Sequence, residues 1–127
     1  MTLSKKIILV VSRDPGMADV RSRVLARAGF KVVPAMNMEQ LKAALLAHRF
    51  DGALIGHSIP PAEKRRIWAE MKRHRIPTLE LHQDGVAHIR EATHHASKAP
   101  DDFLNALENM LKLKLAANKP PKRKQQS

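Results

Sequence analysis

No cysteine and no tyrosine occur in this chain, and its aromatic residues reduce to three phenylalanines and Trp68. Without cysteine there is no disulfide, no thiolate nucleophile and no cysteine-ligated metal, so an apolar core must hold the fold. Long apolar runs are lacking too. The run at 7–11, IILVV, is followed at once by Ser12, Arg13 and Asp14. It reads as a strand, too short for a signal-peptide core or a membrane span, and a soluble, cytoplasmic protein without membrane contact is the expectation. The glycine patterns GxSxG, GxGxxG and the P-loop are also missing, and no paired carboxylates stand at strand ends. Hydrolase and transferase chemistry is therefore not expected, nor is a bound cofactor or metal; the chain does not read as an enzyme.

What the chain has in excess is positive charge: 23 Lys and Arg against 12 Asp and Glu, a formal +11 over 127 residues. Only Lys119, Lys122, Arg123 and Lys124 of those cations lie in 118–127, NKPPKRKQQS, so most of the surplus belongs to the body. Such a field favours anionic partners.

Periodicity divides the body into alternating strands and helices. After the strand at 7–11, a loop through Ser12 and Gly16 enters a helix. Its Met17, Val20, Val24, Leu25 and Ala28 recur at three- and four-residue steps on one face, and Gly29 ends it. A second strand at 31–35 leads to Asn37, a suitable cap for a helix with Leu41, Ala44, Leu45 and His48 inward. The stretch DGALIGHSIPP at 51–61 holds a third strand, which meets solvent at Gly56, His57 and Ser58. Pro60 and Pro61 then open a helix with Ile67, Trp68 and Met71 on one side, and Lys64, Arg65, Arg66, Lys72 and Arg73 around a solvated remainder. A fourth strand covers 77–81. Beyond it Gln83, Asp84 and Gly85 make a turn, 86–91 allows at most two turns of helix, and 93–97 is a poor strand candidate. Asp101 and Asp102 suit the start of a last helix with Phe103, Leu104, Leu107, Met110 and Leu111 inward.

This alternation predicts an α/β, doubly wound, flavodoxin-like fold. Its five-stranded parallel sheet has the order 2-1-3-4-5 with helices on both faces, and the helix between the fourth and fifth strands is short or missing. One domain is expected over 1–117, with a disordered basic tail over 118–127.

Over 6–114 the chain resembles the receiver domain of two-component response regulators, in IILVVSRDP, GFKVVPAMNMEQLKAAL, DGALIGHSIP, IPTLEL and SKAPDDFLNAL. In that family an aspartate at the end of the third strand accepts a phosphoryl group, two acids after the first strand help hold Mg²⁺, and a Thr or Ser and a Lys respond. Matched position by position, the acids fall on Ser12 and Arg13, next to Asp14, and the acceptor falls on Gly56. The Thr or Ser falls on His82, and the lysine on Lys98, the one functional position retained. His95 stands where an aromatic switch is usual, and Lys64 where a glycine is usual. Glycine has no side chain to act as nucleophile, and Arg13 puts a fixed cation where the metal would sit. The resemblance thus implies a degenerate, stand-alone receiver-like module in signal transduction, binding a protein partner without aspartyl phosphorylation. Its contact face would include His88, Arg90, His95, Lys98 and the last helix.

Three other readings compete. Arg13, Lys98 and helix N–H groups beside Asp14 and His82 would make an anion pocket, unless Arg13 and Lys98 are simply paired with Asp14 or Asp84. His57, His82, His88, His94 and His95 invite a metal, but with no HxxxH pair on a helix, solvated loop histidines are the simpler reading. The basic helix and Lys122, Arg123 and Lys124 make accessory nucleic-acid binding the alternative function. The shortage of aromatics for stacking on bases stands against it.

Overall fold

Parallel pairing of short apolar runs builds the molecule, seen in a computed structural model that describes residues 5–83 and 87–118. The expected tail with Lys122, Arg123 and Lys124, and the turn residue Asp84, lie outside these residues. The strands are β1 (Ile7–Val11), β2 (Lys31–Ala35), β3 (Gly52–Ile55), β4 (Thr78–His82) and β5 (His95–Ser97), and the helices are α1 (Pro15–Arg27), α2 (Met38–Ala47), α3 (Pro61–Arg73) and α4 (Pro100–Asn118). The sheet order is β2-β1-β3-β4-β5 and every pairing is parallel, as the alternation predicts. No helix lies between β4 and β5 among the described residues.

Local chemistry fixes the helix ends. Asp14 caps α1 by accepting from Gly16 N at 2.9 Å, with Pro15 at the first helical position. Asn37 caps α2 by accepting from Gln40 N at 2.8 Å, while the Gln40 side chain accepts in return from Met36 N at 2.7 Å. α1 and α3 end in the same motif. Phe30 N donates to Leu25 O and Gly29 N to Ala26 O; Ile76 N donates to Met71 O and Arg75 N to Lys72 O. The turn residue is left-handed in both, Gly29 at φ 98 and Arg75 at φ 58.

The two sides of the sheet carry separate cores. One packs Leu41 and Ala44 of α2 and Ile67 and Met71 of α3 on Leu9, Val11, Ala53 and Ile55. The other packs Leu25 of α1 and Phe103, Leu107 and Met110 of α4 on Ile8, Val10, Leu54, Leu79 and Leu81. β4, TLELH, alternates: its leucines face α4, and Thr78, Glu80 and His82 face the opposite side. A parallel strand covered by helices on both faces reads as continuously apolar. The alternation marks the side on which the described residues between β4 and β5 form no helix and Ile89 is buried.

The inward face of α1 differs from the expected one. Ala18, Arg21 and Leu25 are buried, whereas Val20 is 48% exposed and Ala28 lies at the surface. Steps of three and four also connect 18, 21 and 25, and an arginine stem is long enough to pack as an apolar residue does. α3 shows the same pattern, because Lys64 is buried in line with Ile67 and Met71 and so does not belong to the solvated face. His48 ends α2 half-buried, its ring tilted on Phe50.

Candidate functional site

The carboxyl ends of β1, β3 and β4 converge on two buried cations, one from each side of the sheet. Lys64, from the first turn of α3, is fully buried against Glu80, in the middle of β4 and also fully buried. Its Nζ donates to Glu80 Oε2 at 2.7 Å, to Leu81 O at 2.9 Å and to His88 Nδ1 at 2.6 Å, so each of the three ammonium protons has an acceptor. Acceptance at Nδ1 places the neutral imidazole's proton on Nε2. The Glu80 carboxylate also accepts from His88 N, at 2.9 Å to Oε2. This pair pins the irregular chain after β4 onto the sheet.

The second cation, Arg21 of α1, is 1% exposed. Its Nη2 meets His57 Nδ1 at 2.7 Å, while Nε and Nη1 have no hydrogen-bond partner among the described residues. Its guanidinium lies against Gly56. A Cβ placed on Gly56 would stand 3.0 Å from Arg21 Nη1 and 3.2 Å from Val11 O, so the guanidinium fills the space where a side chain at 56 would begin. Burial pushes the Arg21 pKa down and the nearby Asp14 carboxylate opposes that shift; an arginine keeps its charge regardless. His57 is shifted down as well, by burial first and then by the positive charges of Arg21, Lys98 and Lys64 and by His88.

The sequence-derived site residues separate around these cations. Ser12 is buried and its Oγ accepts from Asp14 N at 3.2 Å, inside the loop before α1. Asp14 is the α1 cap. Arg13 does not pair with Asp14, and Asp84 lies outside the described residues. The Arg13 guanidinium grips Glu63 on α3, with Nε to Oε2 at 3.2 Å, so the ion-pair alternative holds for it with a different acid. His82, buried at the end of β4, stands 3.0 Å from His95 Nδ1 through its Nε2. Arg90, His95 and Lys98 are exposed. Lys98 N donates to His82 O, and its charge is felt at His57. His88 is half-buried and committed to Lys64 and Glu80, a role unlike that of an outward contact residue.

Sequence reasoning misses Lys64 in its buried role, and with it Glu80 and Arg21. An acid inside an otherwise apolar strand calls for a buried cation, and that is the signal by which Glu80 points to Lys64. Among the described residues no group of three or more His, Asp or Glu is placed to hold a metal ion, and no helix is long and apolar enough to cross a membrane. The basic face of α3 is thinner than its composition: Lys64 is internal, Arg65 Nε meets Glu91 at 3.3 Å, and Arg73 lies 3.7 Å from Glu70.

No family model and no curated protein matches the sequence. Solved structures match it in fold. A response regulator receiver domain protein from Methanospirillum hungatei superposes with a TM-score of 0.72 at 21% identity, covering 91% of this chain and 100% of that one. The signal receiver domain of an HD domain-containing protein from Pseudomonas fluorescens gives 0.72 at 17% identity, over 89% and 99% of the two chains. A chemotaxis response regulator of Vibrio cholerae gives 0.65 at 20% identity, over 84% and 99%. The chain therefore has the receiver-domain form of the flavodoxin-like fold.

Proposed function

We propose that this chain is a receiver-like signalling module that acts by binding a protein partner, without an aspartyl phosphorylation cycle and without being an enzyme. The observation that carries the reading is the Arg21 guanidinium seated against Gly56. Phosphoryl transfer to a protein needs a nucleophilic side chain, and Mg²⁺ needs hard oxygen ligands. Here the position offers glycine, a buried cation presses on it, and Arg13 beside it is tied to Glu63. Positive charge from Arg21, Lys64 and Lys98 surrounds His57, where a phosphorylatable pocket would gather carboxylates.

Incubation with acetyl phosphate and Mg²⁺ followed by intact-mass measurement tests this reading. The expected result is an unmodified mass. An acid-stable, base-labile adduct of one phosphoryl group on the chain overturns it.

A further inference from the structure

The described chain that enters β5 also borders the opposite end of β4. There a groove of about 400 Å³ opens between α3 and the segment that enters β5. Trp68 forms one wall, Ile76 and Pro77 contribute apolar surface, and Lys72 and Arg75 add cationic groups beside His94. Its one acid, Glu91, is held by Arg65. The size suits one or two side chains of a ligand.

Arg75 gives the groove a second, independent mark. It occupies the left-handed turn position after α3, in the hydrogen-bond motif that Gly29 serves after α1. A non-glycine residue there is strained, and outside Gly and Asn or Asp that conformation is uncommon. The strain places an exposed guanidinium on the groove, and backbone strain of this kind collects where a side chain is put to use.

The geometry points to this groove as a docking site for an acidic segment of a partner protein that inserts one apolar side chain beside Trp68. The inference rests on the reading of the chain as a protein-binding module and adds the chemistry of the partner. Charge complementarity selects the occupant, because Lys72 and Arg75 line the groove and its one acid is already held by Arg65. A second copy of this basic chain would bring like charge to like charge. Single-stranded nucleic acid needs open aromatic faces, and Trp68 is partly buried against the core.

Trp68 is the only tryptophan of a chain without tyrosine, so its emission reports on the groove. The probe is a short synthetic peptide of Asp and Glu with one central Phe, compared with the same peptide carrying Ser for Phe and with oligothymidylate. The expected result is a saturable change in Trp68 emission with the Phe peptide, several-fold weaker with the Ser peptide. Together, Lys72→Glu and Arg75→Asp, both at exposed positions and the second tolerant of the left-handed turn, should weaken it by roughly tenfold. Arg75→Gly should weaken binding while raising the thermal midpoint. A silent Trp68, affinity unchanged by the paired charge reversal, or tighter binding of oligothymidylate overturns the inference. A phosphoryl adduct on the chain would overturn the parent reading whatever the peptide does, whereas a silent Trp68 on an unmodified chain sinks the groove alone.

Discussion

Lys64 and Arg21 are both buried cations reaching from a helix toward the same strand ends, and they are treated in opposite ways. Lys64 has a buried carboxylate and an acceptor for every proton. Arg21 has one imidazole, and two of its nitrogens lack a partner among the described residues. Taking a charge out of water costs several kcal/mol unless a counter-charge and hydrogen bonds replace the solvent. Lys64 meets that condition with residues from β4 and the chain beyond it, so it organises the molecule. Arg21 meets it poorly, at the strand ends beside Gly56. One cation is matched by its surroundings; the other is matched only in part.

The contrast can be broken most forcefully at Lys64. Lys64→Met leaves the Glu80 carboxylate buried without its cation, and urea denaturation should show a loss of about 3–5 kcal/mol. Adding Glu80→Gln should return part of it. Supplying Arg21 with the partner it lacks is the next test. Gly56→Asp must move the guanidinium and press on the Val11 carbonyl, yet should be better tolerated with Arg21 present than in an Arg21→Met background, with a coupling of about 0.5–3 kcal/mol in a double-mutant cycle. Arg21→Met alone should leave stability within about 1 kcal/mol of the parent, because relieving a poorly satisfied polar group offsets the missing bond to His57. A loss as large as that of Lys64→Met would erase the distinction.

The smallest effect is on pH dependence. His57 has a lowered folded pKa, so the unfolded chain binds more protons near pH 6 and stability rises with pH there. Its contribution is intact above the unfolded value of about 6.5 and is lost as pH falls through the lowered folded value. His57→Gln should flatten the slope of stability between about pH 5 and 7, by little, because the ring is only part-buried.

The strands are legible in the sequence because apolar runs and their spacing depend on local pattern alone. β5 is faint because three residues, His95, Ala96 and Ser97, pair through backbone with little side-chain signature. That the described residues between β4 and β5 form no helix is foreshadowed by the short, polar stretch after β4. The buried cations are hidden, since charge argues for solvent and only tertiary packing reverses it. Lys64 reads as part of a solvated face, although Glu80 inside β4 already requires a cation. Arg21 escapes notice because the apolar stripe on α1 runs most plainly through valines, and the line 18, 21, 25 contains a residue that hydropathy scores as outside. Gly56 stands out at the end of an apolar strand, but the guanidinium beside it comes from 35 positions earlier, by a contact that sequence spacing does not reveal.

The outer strand β2 carries Pro34. Lys31 N donates to Lys6 O and Ala35 O accepts from Ser12 N, so alternate residues face β1 and Pro34 turns the other way, toward solvent. The amide missing from proline is therefore missing on the open side of the sheet, where another strand would seek it. At the far margin β5 offers only three residues. Both borders resist growth of the sheet by strand addition. The fold is thereby protected from edge-to-edge aggregation.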